Sequence, residues 1–293
     1  MRSGLVLDTR EFRLLEGLRL TPRRSFSGRV RGERISKKKG ISIEFADYRD
    51  YGEGDDLRHL DWNILARLEM PVIKTYQDEE DLAVYLLVDA SASMDFGDPP
   101  KTEAALRIAC ALGYVALCSL DAVFPRAVGR REAPVPALRS RASFAKLAAW
   151  ACGVEADAEK GLAEGLRAFA ASGTRPGVAL IVSDGLDPDV FGALRVVAGR
   201  GHEIGFIQVL SELDIDPDIE GDLRLIDAEQ GPPVEVTAGG TVLKLYKSRL
   251  EEHCAKLASE CLRLGGRYAK TTASDSLESL LVHKLKREGW VAS

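Results

Sequence analysis

Cysteine is sparse and unpatterned in this chain: Cys110, Cys118, Cys152, Cys254 and Cys261 are the only five among 293 residues, and no CxxC spacing occurs. That argues against a disulfide framework and a structural zinc site. All five fall in or beside apolar or helical stretches, as buried thiols of a reducing cytoplasm would. Long apolar runs are missing as well. The longest, IACALGYVALCSL from Ile108 to Leu120, falls well short of the ~18 residues that suggest a membrane span. With Arg107 and Asp121 as its flanks it reads as a buried helix. The opening MRSGLVLDTREFRLL is broken by charges too early to hold a signal-peptide core. There is no GxxxxGK[ST], so any ATP hydrolysis must belong to a partner. There is no G-x-S-x-G elbow for a serine nucleophile either. The four histidines, His59, His202, His253 and His283, form no constellation with Asp or Cys.

What is present is ordinary globular composition, 45% hydrophobic and 29% charged, long enough for one large domain or two. Charge is uneven. Residues 1–50 carry 13 Lys+Arg against 7 Asp+Glu, a balance of +6, and residues 51–99 carry 3 against 12, a balance of −9. The basic part alternates its charges with Phe26, Val30, Ile35, Ile41, Ile43 and Phe45, the pattern of short strands with a solvated face. Without a recognisable binding module it does not argue for nucleic acid.

From residue 82 onward strand-like and helical runs alternate. LAVYLLVD, GVALIVSDG and EIGFIQVL read as buried strands, the first two ending at Asp89 and Asp184. Between and after them come helical runs, including a long amphipathic one, YKSRLEEHCAKLASECLRLGG. LRLIDAE and VEVTAG read as a hairpin, RYAKTT as the last strand and SLESLLVHKLKREG as the last helix. This predicts an α/β fold with a parallel sheet between helix layers, whose ligands bind beyond the carboxyl ends of the strands. Residues 1–80 form an N-terminal β-rich extension and 81–293 the main domain. PVIKTYQDEE runs straight into DLAVYLLVD, which favours an extension of the main sheet.

Asp89, Ser91 and Ser93 place three oxygen-bearing side chains where an apolar strand runs out into a turn. They could hold a hard cation, cap the next helix, or form a turn. The DxSxS pattern, with Asp184 after another strand, resembles the metal-ion-dependent adhesion site of von Willebrand factor A domains. The resemblance implies a von Willebrand factor A-like, doubly wound fold. It also implies Mg²⁺ (or Mn²⁺ or Ca²⁺) held by Asp89, Ser91, Ser93 and Asp184. The family's threonine ligand has no counterpart here, since neither Thr nor Ser occurs between Ala151 and Ala171. Asp157 or Lys160 is the expected substitute, Lys160 by occupying the cation's own position.

The block from Glu44 to Met94 resembles the signature of the bacterial family labelled domain of unknown function 58. Arg49, Tyr51, Gly54, Asp55, Asp56, Arg58, Asp61, Trp62, Ala66, Arg67 and Glu79 stand at the signature positions. Asp56 is placed to cap a helix, LRHLDWNILARL, in which Arg58 and Asp61 can pair. The cluster reads either as a polar buckle or as a docking surface, with the buckle favoured. The family resemblance implies a non-enzymatic, cytoplasmic adaptor working with a MoxR-type AAA+ ATPase in protein maturation or assembly. A client's carboxylate would complete the cation's shell. The rivals are a Mg²⁺-dependent phosphohydrolase built on Asp89, disfavoured because Ser91 stands where a second carboxylate is needed, and a structural module with a degenerate metal site.

Overall fold

The apolar run before Asp89 becomes β4 (Ala83–Asp89), a strand buried along its whole length. The computed structural model describes residues 7–24, 26, 44–52, 60–77, 81–131, 133–158, 160–219, 221–225 and 234–293. In it, β4 pairs in parallel with β5 (Ala122–Val128) on one side and β6 (Val178–Ser183) on the other. β7 (Glu203–Leu210) and β10 (Arg267–Thr272) complete a five-stranded sheet of order β10-β7-β6-β4-β5. All of its pairings are parallel. Counted along the chain, this is the doubly wound order 2-1-3-4-5, whose winding reverses between β4 and β6. The crevice outside those two carboxyl ends is therefore where the fold opens to a ligand.

Helices cover both faces, so the strands need no polar alternation. On one face α3 (Lys101–Cys118) buries fourteen of its eighteen residues, which is why it reads as an apolar run rather than an amphipathic helix. Gly113 permits this close packing: a Cβ there would lie 2.5 Å from Leu147 Cδ2 and 2.9 Å from Leu86 Cδ1. Leu147 belongs to α4 (Phe144–Cys152). The other face carries α5 (Leu162–Ala171), α6 (Val190–Gly199) and α8 (Gly240–Arg263), whose apolar residues cluster with Tyr85, Leu87, Ile181 and Phe206. Among the described residues no helix is long and apolar enough to cross a membrane. No cysteine is bonded to another, and Cys152 is exposed rather than buried.

β5 is absent from the sequence-based element list. Pro125 and Arg126 interrupt its pattern, and proline is tolerated because β5 is an edge strand. The last expected helix contains a π-helical turn, Ser279–Leu285. The hairpin forms as expected from β8 (Gly221–Leu225) and β9 (Val234–Ala238), after the short helix α7 (Glu212–Ile215).

The chain divides into two compact units, Met1–Arg24 with Leu82–Ser293, and Ser25–Asp81. The first residues thus belong to the main unit rather than to an extension running from residue 1. The described part shows why. α1 (Thr9–Glu16) is closed by an Asp8–Glu11 capping box, and Phe12 packs edge-on against Tyr114 of α3 at 4.8 Å. β1 (Arg19–Leu20) pairs with β11 (Val291–Ala292).

In the second unit, β2 (Glu44–Asp50) and β3 (Val72–Gln77) form an antiparallel pair joined by a segment that holds α2 (Trp62–Leu68). Among the described residues β3 pairs with β2 and, through Ile73, with Leu60. α2 starts at Trp62 because Asp61, not Asp56, is its cap. The basic strands expected between 27 and 43 lie outside the described residues.

Candidate functional site

β4 and β6 are in register (Val88↔Val182), which sets Ser183 beside Asp89; Asp184 follows one residue on, near enough for the two carboxylates, Asp89 and Asp184, to interact. Both are buried. The Ser91 amide donates to Asp89 Oδ1 at 2.9 Å, and the Ser183 hydroxyl donates to Asp89 Oδ2 at 2.6 Å. Ser91 opens a 3-10 turn, Ala92–Asp95, which brings Ser93 back so that the two hydroxyl oxygens lie 3.1 Å apart. The DxSxS spacing therefore does bring its three side chains together, next to Asp184. Burial, together with the Asp184 charge, pushes the Asp89 carboxyl up to about 6, against the hydrogen bonds from Ser183 and Ser91.

Two partners of this cluster escaped the sequence reading. Lys101, the first residue of α3, is 2% exposed and reaches in with its ammonium 2.7 Å from Asp184 Oδ2 and 3.1 Å from Asp214 Oδ2. Burial alone would lower its pKa, but the two carboxylates hold it above the ordinary lysine value. Asp214 lies in α7 and is fixed by a capping box with Ser211. The signal in the sequence was slight: a lysine placed directly after Pro99 and Pro100 at the head of an apolar helix. With all groups ionised, three carboxylates face one ammonium, an excess of two negative charges.

The loop where the missing threonine would stand does reach β4, but by its backbone: the Ala158 amide donates to the Ala90 carbonyl at 2.9 Å. Neither expected substitute joins the cluster. Asp157 pairs with Arg130 at 3.1 Å, and Lys160 pairs with Glu164 one turn on in the chain. The resident cation comes instead from the opposite helix layer, as Lys101. His253 donates to the Gly185 carbonyl at 2.7 Å and so braces the turn after Asp184 rather than offering a ligand.

Whether this tip suits a divalent ion is decided by its donors. Among the described residues no group of three or more His, Cys, Asp or Glu is arranged for a metal. The tip offers hydroxyls and carboxylates, the hard oxygen donors that Mg²⁺ and Ca²⁺ take. Asp184 Oδ1 accepts from the Leu186 amide and Oδ2 from Lys101, leaving further lone pairs on each oxygen. The donor chemistry and the excess negative charge both fit a hard divalent cation. Phe96, Leu186 and Leu213, apolar neighbours in sequence of the cluster, are 47%, 38% and 43% exposed.

In the second unit, buried Asp61 accepts from the Asn63 and Ile64 amides and from the Tyr48 hydroxyl, and its own amide donates to the Val72 carbonyl. The Tyr51 amide bonds the Pro71 carbonyl, Arg49 reaches the Asp50 carbonyl, and Arg67 sits in the last turn of α2. These contacts hold α2 against its own hairpin. Trp62 is 61% exposed. Asp55, Asp56 and Arg58 lie outside the described residues.

A family model described as Protein of unknown function DUF58 matches residues 47–256. Uncharacterized proteins of Mycobacterium bovis and Mycobacterium tuberculosis are 32% identical over 246 residues, covering 79% of this chain and 75% of theirs. Similar solved structures include the conserved hypothetical protein BatB from Bacteroides thetaiotaomicron, with a TM-score of 0.45 and 15% identity over 70% of this chain and 98% of that one. An aerotolerance-related membrane protein from Bacteroides fragilis has a TM-score of 0.45 and 16% identity, over 70% and 99%.

Proposed function

Taking as premise that the chain belongs to the DUF58 family, we propose that it is a non-enzymatic interaction module whose β4/β6 crevice binds a hard divalent cation and, with it, a carboxylate of a partner protein. The observation that carries this reading is the convergence of Asp89, Ser91 and Ser93 beside Asp184 at the switch point of the sheet. Asp89, Ser91 and Ser93 would hold the ion, with Asp184 supporting it while bound to Lys101. The bound ion would supply positive charge and an acceptor position for the incoming carboxylate. This chain's own part is to keep the hydroxyls aimed, through the Ser91 amide and the 3-10 turn, and to hold Asp89 in place through Ser183. A MoxR-type AAA+ ATPase as partner, a client protein under assembly, and a cytoplasmic place of action are what the family resemblance supports.

Lys101 favours a second reading. Its ammonium already lies between two carboxylates, so the crevice could receive a partner with no metal at all. Capture of a MoxR-type ATPase on the immobilised chain separates the readings. Under the first, capture needs Mg²⁺, is abolished by chelator, and is lost in Ser91→Ala/Ser93→Ala. Capture that survives both treatments supports the second. Hydrolysis of an aryl phosphate by the wild type, lost in Asp89→Asn, would overturn the non-enzymatic assignment.

A further inference from the structure

A separate cavity of about 160 Å³ lies beside the outer edge of β5. The direction of the β5 backbone follows from its hydrogen bonds. The Ala122 amide and the Val128 carbonyl bond toward β4, at the Leu82 carbonyl and the Ala90 amide, whereas Val123 bonds outward to Leu138 through both its amide and its carbonyl. Groups alternate along a strand, so residues 125 and 127 also face outward. Pro125 has no N–H, and the Ala127 amide has no hydrogen-bond acceptor among the described residues. Buried amides of this kind are nearly always satisfied, by protein, water or ligand.

The cavity wall is apolar where Leu87, Val128 and Phe169 line it, and Ala168 of α5 borders it. Three cationic side chains also line it, and they are not equivalent. Arg130 is paired with Asp157, and Lys160 with Glu164. Arg126 has no carboxylate partner among the described residues. Its contacts are the Ser172 hydroxyl at 3.4 Å, a marginal hydrogen bond, and the Phe169 ring, 5.4 Å from guanidinium carbon to centroid. Partial burial holds the guanidinium below its ordinary range, with Tyr85 acting the other way.

We propose that this cavity binds a small carboxylate with a compact apolar body, about the size of one aromatic ring, its carboxylate on Arg126 and its body against Phe169 and Leu87. Size sets the ligand class, since a dry cavity of about 150 Å³ accommodates benzene. Charge sets the head group, because a planar guanidinium pairs with carboxylate through two parallel bonds. The Ala127 amide supplies a further donor. None of these residues belongs to the Asp89–Asp184 crevice, so the outcome is independent of the cation reading.

Benzoate is the probe and benzyl alcohol its uncharged control, titrated into the full chain with line-shape changes followed by NMR. Benzoate is expected to bind at about millimolar affinity or tighter. Arg126→Gln, which keeps a polar side chain beside Ser172, is expected to weaken benzoate by roughly tenfold or more while leaving benzyl alcohol within about threefold. Ala168→Leu, which fills the space, is expected to weaken both; the melting temperature of each variant establishes that it is folded. If Ala168→Leu does not fold, Arg126→Gln decides alone. Absence of benzoate binding to the wild type, or equal binding by wild type and Arg126→Gln, overturns the proposal.

Discussion

Asp61 and Asp89 are both buried aspartates, 5% and 1% exposed, and the chain uses them in opposite ways. Asp61 accepts from two backbone amides and from the Tyr48 phenol, contacts that cap α2 and fasten it to its hairpin. Asp89 also has two good donors, but it faces a second carboxylate, Asp184, and is buried more deeply. Asp61 serves the backbone, as a helix cap. The strand-tip aspartates form a like-charged cluster that one lysine only partly offsets, and such residual charge is what a functional crevice retains at the expense of stability.

The contrast can be broken most forcefully at Lys101. Lys101→Met keeps the apolar stem but leaves Asp184 and Asp214 without their cation, and should destabilise the main unit by about 3–5 kcal/mol in denaturant unfolding. Adding Asp184→Asn to that variant should recover part of the loss. A loss below 1 kcal/mol in Lys101→Met would mean that the carboxylates are already neutral or hydrated.

The next effect is one of pH. Asp89 has a folded pKa of about 6, above its unfolded value, so between roughly pH 4 and 6 the folded state keeps a proton that the unfolded chain releases. Stability should therefore fall as pH rises through this window, by up to about 3 kcal/mol for this group. Asp89→Asn should flatten that slope and raise stability at pH 7. An unchanged slope in Asp89→Asn would assign it to another residue.

The smallest effect belongs to the buckle. Asp61→Ala should cost about 1–2 kcal/mol through the lost helix cap. It should show as faster amide exchange at Asn63 and Ile64, with the main unit's melting unchanged. A fall in main-unit stability equal to that of Lys101→Met would erase the distinction drawn here.

Most of the main sheet was legible because buried parallel strands leave continuous apolar runs, with an aspartate ending β4 and another directly following β6. The DxSxS spacing is local, so its convergence could be read from three nearby residues. β5 was hidden by Pro125 and Arg126, residues an edge strand accepts and a pattern reader rejects. Lys101 was hidden for a different reason: it meets Asp184 across 83 residues of chain, and only helix packing on the sheet determines where its ammonium ends. Asp214, further still from Lys101 along the chain, is concealed in the same way. In the second unit the reading placed the cap at Asp56, since both Asp56 and Asp61 precede apolar residues. Asp61 is set apart by its tie to Tyr48 and Val72, which no local pattern reveals.

The central claim is that the β4/β6 tip, with Lys101 in place, still has room and charge for a divalent ion. Calorimetric titration of Mg²⁺ into the wild type and into Ser91→Ala/Ser93→Ala tests it most directly. A saturable heat is expected in the wild type, disappearing in the variant while its fold is retained. No heat in the wild type, or the same heat in both, would contradict it.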